Sequence, residues 1–381
     1  ALVIIVFFVP YTASGFAACG KLFSNLFGMD YMLAMIISAV VIVGYTALGG
    51  FLAASTTDLI QSCVMTIALV VVLCFGVNVA GGLDAVVQNA QTLPGYLAMN
   101  ASYDAASNAA VPYGPLTIVS TLAWGLGYFG MPHILLRFMA IENEQKLTTS
   151  RRVATVWVVI SMFIAVLIGM VGLGMTNVGA LPVLEGSASE TVIVQISSLM
   201  AEHGVLLALA AGVTLAGILA ATMSTADSQL LAASSSVSKD LMWGVFKVKM
   251  TEKQSMLIAR STLLVIAAIA IFLARDPDSS VFKIVSFAWA GFGAAFGPVV
   301  LFALFWKRAN KWGALCGMIS GGVLVFVWKF LVRPLGGAFD LYELLPAFLL
   351  NCVVLVVVSL LTAPPEKKIV DTFEEYRAMG K

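Results

Sequence analysis

Apolar residues in this chain fall in long blocks, and charged residues gather in the stretches between them. An α-helix needs about 20 mostly apolar residues to cross the hydrocarbon core of a bilayer. Ten blocks meet that length, at about 1–20, 31–49, 54–79, 115–138, 153–177, 205–236, 255–274, 282–306, 312–332 and 344–362. The pattern predicts an all-α bundle of membrane helices. Residues 80–114 mix Ala, Asn, Gln and Gly with Pro94 and Pro112, which predicts a loop carrying a short surface helix, and 178–203 reads as a second loop. Beyond Pro364-Pro365 the chain turns polar. Residues 1–362 are therefore expected to form one transmembrane domain and 363–381 a tail. The opening Ala1–Phe8 is already apolar and has no basic run before it, unlike a signal peptide. The first block is thus expected to start inside or just before a helix, with an N-terminal part missing.

Composition agrees with the blocks. Of 381 residues, 60% are hydrophobic and 11% charged, against roughly 25% charged in a soluble domain. A formal net charge of +1 gives no attraction to nucleic acid. Five scattered cysteines with no CxxC pair read as small apolar residues in packed helices rather than as metal or redox groups.

Charge placement sets the orientation. The stretches Arg137–Arg152, Lys239–Arg260, Lys307–Lys311 and Lys367–Lys381 hold 16 of the 21 Lys and Arg residues. The positive-inside rule puts these connections and the C-terminus in the cytoplasm, and loops 80–114 and 178–203 outside. The alternation is consistent across all ten blocks. A multi-pass protein of a bacterial inner or plasma membrane is expected.

Function is then sought in the polar exceptions, because charged side chains and irregular backbone are costly in lipid unless they serve a cavity. In Ala221-Thr222-Met223-Ser224-Thr225-Ala226-Asp227-Ser228-Gln229, hydroxyls one turn apart gather on one side of a helix. Hydroxyls and carbonyls are hard oxygen ligands suited to Na⁺, while back-bonding of each hydroxyl to its own helix explains the pattern equally well. Asp58, in Ser55-Thr56-Thr57-Asp58, fits both a capping-box-like helix start and a cation ligand. In Trp124-Gly125-Leu126-Gly127-Tyr128-Phe129-Gly130-Met131-Pro132-His133, three glycines and a proline should interrupt the helix. Half-helix ends formed there would attract a carboxylate, between apolar walls. The small residues of Trp289–Pro298 suit either tight packing or a bending element, and Pro10-Tyr11 adds a kink and a phenol to the first block.

These stretches resemble the sodium/solute symporter family, most closely its sodium/proline branch. The resemblance rests on WGLGYFGMPHILLRFMA (Trp124–Ala140), ILAATMSTADSQLL (Ile218–Leu231), SFAWAGFGAAFGPVVLF (Ser286–Phe302) and GYTALGGFLAASTTDLIQ (Gly44–Gln61), and it runs over nearly the whole chain. It implies the leucine-transporter fold, an inverted-repeat helix bundle. On that template the chain holds core helices three to ten plus two peripheral helices, with the N-terminal core helices missing. It implies a sodium site using the Ala221 carbonyl and the Ser224 and Thr225 hydroxyls. A second sodium set would involve Asp58, Ser224, Asp227 and Ser228, although Asp227 replaces the hydroxyl expected there. It also implies a proline pocket containing Tyr11, Trp124 and Tyr128.

The expected activity is Na⁺-coupled uptake of L-proline by alternating access. The rivals are a same-family symporter for pantothenate, a monocarboxylate or a sugar, and a proline sensor or channel. No HExxH or GxSxG motif points to an enzyme.

Overall fold

Almost every apolar block becomes a helix, and the ends follow from residues that satisfy the free backbone groups. A computed structural model describes residues 1–104 and 106–379, and the side chains of these apart from 49–53 and 379. Helix α1 spans Leu2–Phe27, contains Pro10, and stops at Gly28, whose φ of 61° suits a residue without a Cβ. Helix α2 runs from Tyr31 to Val79, and Asp30 caps it by accepting from the Leu33 N–H at 3.0 Å. The short α3 (Leu83–Thr92) is the expected surface helix of the first loop. An antiparallel hairpin that the apolar pattern did not signal follows, with β1 (Ala101–Asp104) paired to β2 (Ala109–Pro112).

The next block is broken as its glycines and proline predict. Helix α4 (Pro115–Leu122) gives way to a 3₁₀ stretch, Ala123–Gly130. Met131 is extended, and α5 (Pro132–Met139) then starts on the proline. Helix α6 spans Lys146–Asn177. The 178–203 connection is more than a loop, because it carries a 3₁₀ turn and then α7 (Val192–Ala201), which buries Val194, Ile196, Ser197 and Met200. Helix α8 (Val205–Ser235) continues as π-helix to Val245. Thr251 and Gln254 form a reciprocal capping box that starts α9 (Glu252–Leu273). Helices α10 (Val281–Phe305), α11 (Lys311–Val327), α12 (Leu344–Leu361) and α13 (Lys367–Met379) complete the order.

Nine helical segments among the described residues are long and apolar enough to span a bilayer, and α2 supplies two of them, Tyr31–Leu48 and Ala54–Val79. The expected interruption near residue 50 is absent from the backbone, which stays helical from 31 to 79. The broken α4–α5 block is the tenth expected crossing and is not a single long helix. On α6, Val153, Val156, Val159, Phe163 and Val166 are all more than half exposed. Their three- and four-residue spacing makes one apolar stripe, the surface that lipid would cover.

The chain divides into two compact units. The first comprises Ala1, Phe8–Tyr113 and Ala140–Ile284. Within it α8 packs along α2, α7 and α9. The approach to α2 is close: a methyl group added at Gly217 would lie 2.8 Å from the Ala68 Cβ. Val72, Ile164, Ile168, Val171, Met175 and Ile196 form a buried apolar cluster between α2, α6 and α7. The second unit comprises Leu2–Phe7, Gly114–Met139 and Val285–Lys381. There α11 lies on α12, with Gly313, Gly317 and Gly321 at four-residue spacing giving the small-residue face that membrane helices use to approach. The fully buried Asn351 of α12 donates to the Ala294 and Ala295 carbonyls of α10 at 2.6 and 3.0 Å.

Candidate functional site

In the first unit the hydroxyl cluster of α8 has a definite local geometry. Ser224 Oγ and Thr225 Oγ1 both donate to the Ala221 carbonyl, at 3.0 and 3.1 Å. Both side chains are half-buried. This is the back-bonding that the sequence left open, and it does not use up the oxygens. Each hydroxyl spends its hydrogen on the carbonyl and keeps lone pairs for another partner. Three oxygens therefore gather within one helical turn, a hard-ligand set of the kind Na⁺ accepts.

Asp227 lies on the same helix and is completely buried. Its Oδ2 accepts from the Tyr45 phenol at 2.9 Å, and that phenol also reaches the Met223 carbonyl at 3.1 Å. The Ser228 N–H and hydroxyl also lie against this carboxylate, and its buried Oδ1 makes no hydrogen bond of regular geometry among the described residues. An under-satisfied carboxylate oxygen calls for a cation or a donor to complete it. Tyr45 is not among the expected site residues; a phenol inside an otherwise apolar span is the signal that the sequence offers for it. Gln229, two positions on, is also buried and accepts from Thr12 Oγ1 of α1 at 3.3 Å.

Asp58 sits in the interior of α2, so the helix-start reading of Ser55–Asp58 fails. Polar residues ride inside this helix by bonding their own backbone, as Thr57 Oγ1 does to the Ala54 carbonyl at 2.9 Å. Asp58 is half-buried, as is Ser228 on α8.

In the second unit the 3₁₀ stretch brings two of the expected aromatic residues to one neighbour. Trp124 stacks on Trp289 of α10 with ring centres 5.4 Å apart, and Tyr128 meets Trp289 edge-on at 4.8 Å. Trp289 Nε1 donates to the Trp124 carbonyl at 3.0 Å. Tyr342 stacks on Trp124 at 6.0 Å and donates through its hydroxyl to the Ser286 carbonyl at 2.6 Å. The glycines of the two motifs face one another. A methyl at Gly127 would overlap the Trp289 indole, and one at Gly293 would lie 2.7 Å from the Gly127 Cα. Close packing accordingly accounts for the small residues of Trp289–Pro298. Tyr11 belongs to the first unit, where it is buried on α1 and accepts from Ser14 Oγ through its carbonyl at 2.6 Å.

The first unit holds a further charged pair, outside the expected site residues. Lys21 of α1 bonds Glu190 Oε2 at 3.1 Å and the Ser279 carbonyl at 2.8 Å. Glu190 also accepts from Ser280 Oγ and from the Val281 and Phe282 N–H groups, at 2.8, 3.1 and 3.2 Å, and so caps the start of α10. Partial burial works against the Glu190 charge, but these donors together hold its carboxyl below the usual carboxylate range. A lysine directly after an apolar block, with Leu22 and Phe23 following, is the signal in the sequence.

A family model described as the sodium:solute symporter family matches residues 1–321. The chain belongs to that family. It is thus a multi-pass membrane transporter with Na⁺ as its coupling ion, and not an enzyme. Among curated relatives, a sodium/proline symporter of Haemophilus influenzae is 40% identical over 98% of this symporter and 73% of its own length. The osmoregulated proline transporter OpuE of Bacillus subtilis is 38% identical over 96% and 71%. A solved Na⁺-coupled sialic acid symporter in a substrate-bound outward-open state superposes with a TM-score of 0.72 at 17% identity, over 96% of this symporter and 75% of that chain. That likeness establishes the leucine-transporter-type bundle expected from the sequence.

Proposed function

We propose that this symporter couples inward movement of Na⁺ to uptake of L-proline by alternating access. The observation that carries the ion assignment is the convergence of Ser224 and Thr225 on the Ala221 carbonyl. In this reading that carbonyl and the two hydroxyls are sodium ligands. Asp58, Asp227 and Ser228 form a second cation set, supported by the charge interaction between the Asp58 and Asp227 carboxylates and by the buried Oδ1 of Asp227, which makes no hydrogen bond of regular geometry among the described residues. Trp124 and Tyr128 contact the solute, and the family resemblance adds the phenol of Tyr11. Proline is a compact zwitterion with one apolar ring, and aromatic faces suit both the ring and the secondary ammonium. The names of the two curated relatives favour proline over other small solutes.

Each Na⁺ moving inward yields about 2.3 kcal/mol per 100 mV, besides its concentration gradient. That drives accumulation when ion and solute favour the same conformational state. Residues 1–362 carry transport, and the 363–381 tail, with the other Lys- and Arg-rich connections, lies in the cytoplasm.

The test is tracer proline uptake by the protein in proteoliposomes. An imposed inward Na⁺ gradient is expected to drive uptake above equilibrium, and unlabelled proline to compete. Stronger competition by pantothenate, a monocarboxylate or a sugar would replace proline as the solute. Flux independent of the Na⁺ gradient would indicate a channel, and binding without flux a sensor.

A further inference from the structure

A 3₁₀ run rarely exceeds three or four residues, because its hydrogen bonds are poorly aligned. Here it lasts for the eight residues Ala123–Gly130, so something outside the stretch must hold it. Three contacts from Trp289 converge there. Its indole N–H donates to the Trp124 carbonyl, its ring stacks on the Trp124 ring, and its face or edge meets Tyr128 at a steep angle of 84°. The indole also occupies the space where a side chain at Gly127 would begin. Trp289 is itself 6% exposed and sits on the regular helix α10, among Ala288, Ala290 and Gly291, which are also buried. A side chain on a rigid element is thereby locked against an irregular one that bears Trp124 and Tyr128, the two aromatics assigned above to the proposed solute pocket.

We propose that Trp289 is a positioning residue for solute recognition: it fixes the orientation of Trp124 and Tyr128 and so sets how closely their wall follows the solute ring. The proposal rests on the proline reading above. Tyr342, two residues before α12, supports the same wall through its stacking on Trp124 and its N–H bond to Ser120 Oγ at 3.0 Å. A loosened wall should lose affinity for the five-membered ring and lose discrimination against a six-membered one.

The experiment compares proline with its six-membered homologue, piperidine-2-carboxylate, in Na⁺-driven uptake by wild type, Trp289→Phe, Trp289→Ala and Gly127→Ala. Trp289→Phe keeps a ring and loses the N–H donor, so the proline KM should rise about three- to tenfold, as expected for one hydrogen bond and part of an aromatic contact. Trp289→Ala should raise it further and bring the ratio of kcat/KM for the two solutes towards one. Gly127→Ala displaces the indole from the opposite side and should reproduce the KM rise even where Trp289→Ala does not fold. The Na⁺ half-saturation at saturating proline should stay within about twofold, since uniform loss of solute binding alters KM first. An unchanged KM and unchanged solute ratio in Trp289→Phe and Gly127→Ala overturns the proposal, as does a fall confined to Vmax, which marks a purely structural role. A wild type that takes up no proline overturns the transport reading, and the proposal with it. A wild type that does so beside indifferent variants overturns the proposal alone.

Discussion

The Tyr45 phenol and the Asp227 carboxylate meet at 2.9 Å across 182 positions of sequence, joining α2 to the polar turn of α8. Hydrogen bonds to a charged group are worth about 1.5–3 kcal/mol. Tyr45→Phe is therefore expected to lower stability by about that amount in Na⁺-free detergent solution. Added Na⁺ should raise the melting temperature of the variant more than that of the wild type, because a cation offsets a carboxylate that has lost a donor. Thermal unfolding with and without Na⁺ measures both effects. Equal Na⁺ shifts in the two proteins would remove Asp227 from the ion site.

The hydroxyls one turn earlier make a sharper test. Ser224→Ala and Thr225→Ala each delete one ligand oxygen and leave the Ala221 carbonyl in place. Each should raise the Na⁺ concentration for half-maximal uptake by about tenfold or more, a loss of about 1.4 kcal/mol or greater. Membrane insertion should be unaffected, because either variant removes a polar group from a helix that crosses lipid. Uptake against Na⁺ concentration, normalised to protein in the membrane, decides the matter. Unchanged Na⁺ dependence in both variants would sink the assignment.

The sequence exposed those features that depend on a local rule. Helix-length apolar blocks, the Gly- and Pro-driven break between Trp124 and Pro132, and the clustering of hydroxyls at 221–228 all follow from spacing along one segment. What it concealed depends on partners far away in the chain. Nothing near Ser55–Asp58 shows that helix α2 runs through it, since a polar quartet before an apolar run looks the same at a helix start and in a helix interior. Val192–Ala201 is too short to register as a spanning block, and only packing against α6 and α8 reveals it as a buried helix. Tyr45 with Asp227, Trp289 with Trp124, and Lys21 with Glu190 are each brought together across more than 150 positions. The resemblance pointed to positions for the site, and the fold shows which distant residues pack against them.

The aromatic wall should separate solute from ion. Trp124→Ala removes a ring stacked on both Trp289 and Tyr342 and, in the proposed pocket, one face against proline. Proline affinity is expected to fall by about tenfold, in line with an aromatic contact plus its buried area, while Na⁺ affinity changes less. Equilibrium binding of labelled proline and of Na⁺ to the purified protein reports the two separately. Wild-type proline affinity in this variant would take Trp124 out of the pocket.

Lys21 and Glu190 give a prediction in pH. Glu190 titrates below the usual carboxylate range in the folded protein because four donors surround it, against the opposing effect of burial. The unfolded carboxyl titrates near about 4.3. Below that value the unfolded chain takes up a proton while the folded one still resists it, so acid favours unfolding. The stabilisation is complete above the unfolded pKa and is lost as pH falls through the lower folded value. Partial solvent exposure of Glu190 screens the pair and limits its worth to about 1 kcal/mol. Glu190→Gln should lower the melting temperature at pH 7 and flatten its decline between pH 5 and pH 3, whereas the wild type falls more steeply over that range. Parallel melting profiles for the two proteins would show that the Lys21–Glu190 link to the start of α10 carries no charge-dependent stability.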